Sequence, residues 1–424
     1  MKNIITVFCL FFYLLGTAQS FNKNFNDKTL RLDFVFSGNK NETNVTSQSP
    51  MIKTGNWYGR KVNLTENNLQ GDAEVNVYDL KTNKKIYTQS FSTLYQEWLT
   101  QEAAKTMIFT TEQVLLIPEP KRAFKVVVNF FENNKPNKVY EGLFDFTSNG
   151  IIVLNNRDIK YKQLNESTNK TSPINVAIVA EGFTESEMPL FEEYAKRAVS
   201  SLFNHKTFNK YKDQFNIYAV FTESKDSGVS NSMSNTNKNT IAQSSFGTFE
   251  FERYLTTSKL FKLHNELAGF NFDHIIIIAN TDVYGGGGIY NSYTLTSIFD
   301  KTFDAVVVHE FGHSFGGLGD EYFYADDIFS DNAHQNTVEP WVKNNTSLVN
   351  FDSKWKNKLP KNSTIPTPYT NDGTDDLGVY LGIEGGKVYI PHQDCRMHTN
   401  TAKDFCSVCN DAIEELILHY TIQK

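Results

Sequence analysis

Between residues 29 and 146 apolar and polar positions alternate in short bursts, the period-two pattern of strands that bury one face. The segments "TLRLDFVF" (29–36), "AEVNVYDL" (73–80), "KKIYTQSF" (84–91), "FKVVVNFF" (124–131) and "KVYEGLFDF" (138–146) are rich in β-branched and aromatic residues, and Asn, Gly, Lys and Asp separate them. One interruption, "TLYQEWLTQEAA" (93–104), has helical spacing. The pattern predicts an N-terminal all-β domain packed as a sandwich, over residues 21–165. A polar run, "QLNESTNKTSP" (163–173), has the composition of a connecting segment and closes on Pro173.

After it the period changes. "INVAIVAEG" (174–182), "FNIYAVFTES" (215–224) and "DHIIIIAN" (273–280) read as buried strands, while "SEMPLFEEYAKRAVSSLFN" (186–204) and the region 250–267 read as helices. Strands joined by helices predict an α/β (α+β) domain over residues 166–424, with a mixed or mostly parallel sheet. "YGGGGIY" (284–290) is too rich in glycine for a helix. It reads as an edge segment that an extended peptide can pair with, or as a loop.

Length and composition add limits. A chain of 424 residues exceeds one comfortable core, so two domains are expected. A net charge of -7 with 21% charged residues argues against nucleic acid as a partner. The start, "MKNIITVFCLFFYLLGTAQSF", has Lys2, an apolar run from Ile4 to Leu15, and then small residues. It reads as a signal peptide over residues 1–20, because a bilayer span needs roughly 20 apolar residues. The chain is therefore expected to be exported, to the periplasm, the cell surface or the medium, with no stable membrane span after cleavage. Beyond the signal the cysteines are Cys395, Cys406 and Cys409. A disulfide from Cys395 to Cys406 or Cys409 is the expectation for an exported protein. The rival is a metal site completed by His392 or His398, since Cys406 and Cys409 have ligand spacing.

The stretch "VVVHEFGHSFGGLGDEYFY" (306–324) carries the chemistry. On a helix, residues four apart share a face, so His309 and His313 can grip one Zn2+. Glu310 then stands beside the metal as general base and acid. A plain core helix is the competing reading, and Val306, Val307, Val308, Phe311 and Phe315 suit it. Burying two imidazoles and a carboxylate without partners costs several kcal/mol, however, and a metal satisfies all three. Gly316, Gly317 and Gly319 end the helix and turn the chain back, after which Asp320 or Glu321 can supply a third ligand. His334, His392 and His398 are the replacements if both carboxylates only solvate the turn. Tyr322 and Tyr324 are candidate donors to an oxyanion.

"HEFGHSFGGLGDEY" resembles the signature of the M64 peptidases, which include a bacterial IgA-cleaving metallopeptidase and belong among the metzincin-like zinc peptidases. "TLRLDFVFSG", "INVAIVAEGF" and "DCRMHTN...FCSVC" are consistent with that family over most of the chain. The resemblance implies a zincin-like catalytic domain, zinc held by His309, His313 and Asp320, and Glu310 as general base. It also places Met397 in the turn beneath the metal, as packing. The sequence departs from the general metzincin pattern, which puts its third ligand at the position occupied here by Gly319. The implied function is an exported zinc endopeptidase acting through a metal-activated water on a protein or peptide, with host glycoproteins such as immunoglobulin among the candidates. A different class competes with it: a non-catalytic module that binds glycan or protein on a zincin-like scaffold. The intact Glu310 favours the enzyme.

Overall fold

Strands with one apolar face build two sheets in the N-terminal half of the computed structural model, which describes residues 21–48, 51–147, 150–154, 158–299, 301–322, 338–370, 375–382 and 388–423. In the first, β1 (Phe25–Gly38) pairs with β2 (Thr43–Ser47), β3 (Met51–Lys53) and β6 (Phe109–Pro120), and β9 (Ile151–Val153) joins β3. The second runs β5-β4-β7-β8, from β4 (Ala73–Asp79), β5 (Lys85–Phe91), β7 (Phe124–Glu132) and β8 (Lys135–Phe144). Alternate residues of both sheets, such as Phe34 and Phe36, Val75 and Val77, and Val126 and Val128, meet in one apolar core. The expected signal segment, 1–20, lies outside the described residues.

Strand β6 is not among the sequence-predicted segments. Its prolines, Pro118 and Pro120, argue against a central strand. They are tolerated because β6 pairs with β1 alone, beside a register irregularity between Phe25 and Thr29. The helical interruption is shorter than its sequence suggests: α1 (Leu94–Trp98), capped by the Thr93 hydroxyl on the Gln96 amide at 3.1 Å, and then a single 3₁₀ turn at Glu102–Lys105.

The second half is organised by a six-stranded sheet in the order β10-β12-β11-β15-β17-β16. Its members are β10 (Tyr161–Asn165), β11 (Ile174–Glu181), β12 (Phe215–Val220), β15 (His274–Ala279), β16 (Gly286–Ile289) and β17 (Tyr293–Ser297). The four inner strands run parallel, and β10 and β16 are antiparallel edges. Two short pairs, β13 (Ser230–Asn231) with β14 (Ser245–Phe246) and β18 (Tyr380–Leu381) with β19 (Tyr389–Ile390), lie outside it.

Every residue of β11 and β15 is buried, as expected of a parallel sheet covered on both faces. Val176 and Ile178 face a core shared with α2 (Met188–Phe203), α5 (Phe303–Ser314) and α6 (Ser407–Thr421). Ala177 and Val179 face Leu260 and Leu263 of α4 (Leu260–Glu266), together with Val114 from the N-terminal β6. Helix α2 opens with a capping box between Thr184 and Glu187, and the short α3 (Lys206–Lys210) follows it. The helix expected over 250–267 contracts to α4, because Tyr254 bridges to Gly286 and Thr256 to Ser245, drawing that stretch into extended pairing. Among the described residues no helix is long and apolar enough to cross a membrane.

Candidate metal centre and active site

Helix α5 is positioned by its apolar residues. Phe303, Val307, Val308 and Phe311 join the core under the sheet, which leaves His309 and His313 one turn apart on another face. The helix stops where Gly317 takes a left-handed φ of 57°, with its amide on the His313 carbonyl at 3.0 Å. A side chain at Gly317 would also strike Leu69 of the N-terminal domain, 2.2 Å from the Cβ position. The chain turns back and delivers Asp320 to the two histidines.

Three atoms converge there. His309 Nε2 and His313 Nε2 are 3.0 Å apart, and Asp320 Oδ1 lies 3.1 Å from the first and 3.2 Å from the second. Each ring's other nitrogen faces a backbone carbonyl: His309 Nδ1 that of Arg396 at 3.0 Å, His313 Nδ1 that of Leu318 at 2.7 Å. Carbonyls only accept, so both rings carry their proton on Nδ1 and turn lone pairs toward each other. Asp320 Oδ1 is buried and has no hydrogen-bond donor among the described residues. Two lone pairs and a carboxylate oxygen at such distances repel unless a cation lies among them. Donor atoms sharing a tetrahedral Zn2+ stand about 3.3 Å apart, close to the spacing seen. The residues fit the metal.

Electrostatics point the same way. Burial works against a charged His313, yet Asp320 and Glu310 hold its pKa up at about 9. Burial likewise disfavours the Asp320 carboxylate, and the two imidazoles more than offset that, lowering its pKa. The pocket attracts positive charge. Glu310 is half-buried, and burial raises its pKa against the opposing pull of His309 and His313.

The glycine stretch forms β16, the sheet's edge, and it passes directly over α5. A Cβ at Gly286 would lie 2.7 Å from Glu310 Oε1, and one at Gly288 only 2.3 Å from the Glu310 carbonyl oxygen and 2.7 Å from His313 Cβ. Glycine is therefore needed for close approach. The bridge from Tyr254 occupies part of this strand's outer side, at Gly286.

Below the helix, buried Met397 packs against Gly312, whose Cβ would be 2.7 Å from its sulfur. Sequence reasoning missed Arg396, whose carbonyl anchors His309. Its buried guanidinium donates to the carbonyls of Thr399, Asn400 and Ala402 and to His205 Nε2. An arginine between Cys395 and Met397 was the only signal, and a backbone anchor leaves no residue-type signature. The ring of Tyr322 stacks on His309 at 5.9 Å, while Tyr324 and His334 lie outside the described residues. His392 pairs with Asp375 and Ser407, and His398 Nδ1 with the Gln393 carbonyl, away from this cluster. Glu321 points elsewhere, into Cys395, Cys406 and Cys409.

The expected disulfide is not formed. All three cysteines are free, and the Cys395 and Cys409 sulfurs are 3.7 Å apart, against about 2.05 Å for a bond. A carboxylate placed among the sulfurs explains the departure: Glu321 Oε1 lies 3.1 Å from Cys409 Sγ and 3.8 Å from Cys406 Sγ.

A two-part chain with a strand-helix sheet and a histidine-glutamate helix beneath its edge has the build of a peptidase. The family described as IgA Peptidase M64 matches residues 162–379, and that described as Peptidase M64 N-terminus matches residues 20–141. The chain belongs to peptidase family M64, and its substrates are accordingly proteins or peptides. No curated relative matches it.

Proposed function

We propose that the chain is an exported, zinc-dependent endopeptidase with its active centre at His309, Glu310, His313 and Asp320. The observation that carries this reading is the convergence of three donor atoms within 3.2 Å while both imidazoles give their remaining proton to backbone carbonyls. Zinc, when bound, supplies a Lewis acid that makes water acidic near neutral pH and polarises a carbonyl. His309, His313 and Asp320 hold it, each imidazole locked in tautomer and orientation by its carbonyl. Glu310 takes the proton of the attacking water and passes it to the leaving amine, a role its raised pKa suits. Tyr322, stacked on His309, is the candidate donor to the oxyanion.

In this reading residues 1–20 are a cleaved signal, 21–165 a β-sandwich and 166–424 a zincin-like catalytic domain. The two N-terminal sheets around one core, and the mixed sheet with the metal helix packed on it, support those assignments. Host glycoproteins, immunoglobulin included, are candidate substrates. The test is Glu310→Gln beside wild type, with metal content measured and a mixed peptide library as substrate. Expected is full metal content with cleavage lost by about 10²-fold or more. A variant that cleaves at the wild-type rate, or a wild-type protein as active after complete metal removal, would overturn the proposal.

A further inference from the structure

We propose that Glu321, Cys395, Cys406 and Cys409 form a second metal site, structural in role, for a thiophilic divalent cation whose best match is Zn2+. It does not depend on the catalytic reading. All four side chains are buried, Glu321 and Cys409 at 0% exposure, and their ligand atoms lie within 4.8 Å of one another. Two sulfurs on one tetrahedral zinc stand about 3.8 Å apart, and Cys395 and Cys409 are at 3.7 Å. Four protein donors with no open position is the composition of a structural site.

Two independent features show that the cluster is built for an ion. The first is Glu321: Asn344 donates to its Oε1 at 2.9 Å, but the buried Oε2 has no hydrogen-bond partner among the described residues. A carboxylate placed so, among three sulfurs, is costly unless a cation compensates it. The second is the direction of the backbone. The amides of Cys406 and Met397 point at Cys395 Sγ, at 3.2 and 3.4 Å, and the Cys409 amide points at Cys406 Sγ at 3.5 Å. Amides aimed at sulfur suit thiolates, and the N-terminus of the 15-residue helix α6, capped by Cys406, adds its own positive end. A Cys395–Cys409 disulfide would instead strand a thiol and a carboxylate together.

The site joins three segments. Glu321 follows Asp320, Cys395 precedes Arg396, and Cys406 and Cys409 begin α6. The amide of Glu321 also bonds the Met397 carbonyl at 2.9 Å. Loading this site therefore fixes the turn that presents Asp320 and the carbonyl that orients His309.

The test uses the full chain loaded with Co2+ and, separately, with Zn2+. Expected are two ions per chain, and an intense sulfur-to-cobalt charge-transfer absorption that survives His309→Ala and is lost in Cys409→Ser. Metal analysis should fall to one ion in Cys409→Ser and in Glu321→Ala, and to one ion, still thiolate-bound, in His309→Ala. Because a cysteine variant can misfold, wild type is also unfolded with chelator and without reductant, and its thiols are counted. Three reactive thiols from the cluster support the site. One alone, or a wild-type cobalt protein lacking the sulfur absorption, overturns it. Failure of the catalytic reading would appear differently, as a metal-loaded cluster in a chain that cleaves nothing.

Discussion

Replacing Gly288 by alanine adds one methyl group where β16 crosses the active-site helix. The new Cβ would sit 2.3 Å from the Glu310 carbonyl oxygen and 2.7 Å from His313 Cβ. Neither neighbour is a flexible tip: one is helix backbone, the other the root of a proposed ligand. Restoring ordinary contact of about 3.4 Å requires strand and helix to part by about 1 Å, a form of overpacking that typically costs about 1–3 kcal/mol. Displacing catalytic groups by such a distance costs on the order of 10²-fold in rate. Gly287 is the internal control. The strand pleat turns it to the other side, where its Cβ would meet Tyr254 Cε2 at 3.1 Å and the Leu255 carbonyl at 3.2 Å, contacts that a shift of a few tenths of an ångström relieves. Urea unfolding, metal content and kcat on a peptide substrate should therefore separate Gly288→Ala from Gly287→Ala. If the two behave alike, the close approach of strand to helix is not what these glycines serve.

Two further outcomes are expected. Arg396→Lys keeps the charge but not the planar fork that serves three carbonyls and His205; stability should fall by about 1–3 kcal/mol, and kcat should drop more than KM rises as the His309 anchor loosens. Equal losses in both constants would count against that positioning role. His274 is buried among Phe311, Phe315 and Tyr420, and burial lowers its pKa from 6.5 to about 3. The folded chain thus refuses a proton that the unfolded chain accepts, so this residue contributes full stability above pH 6.5 and loses it as pH falls toward about 3. Chemical denaturation of His274→Phe at several pH values should show a shallower acid decline than wild type; parallel curves would refute the assignment.

The parts of this molecule that obey a local period were readable from sequence alone. Strands β11, β12 and β15 and helix α2 fall within the segments that apolar spacing picks out, because burial on both sheet faces or one helix face writes itself into residue type. The histidine pair was equally plain, since four-residue spacing on a helix leaves little freedom. Strand β17 escaped notice: "YTLTS" is five residues long and follows a glycine run, too short for a period to register. The helix expected at 250–267 shrank for the opposite reason, as long-range bridges from Tyr254 and Thr256 overrode local spacing. Among the site residues, Asp320 and Glu321 could not be told apart by order. Their division between a histidine cluster and a cysteine cluster is decided by segments some eighty residues away, and no local pattern encodes it.

The N-terminal residues Leu69 and Val114 belong to the apolar cores on the two faces of the C-terminal sheet. Trp341 Nε1 reaches back to Asp72 at 2.6 Å, and Arg31 reaches across to Asn265 at 2.7 Å. The two halves are consequently not beads on a string. A fragment begun at the connecting segment would present raw greasy patches to water and precipitate, and a chimera that exchanges the front half for a relative's must import the matching seam residues with it.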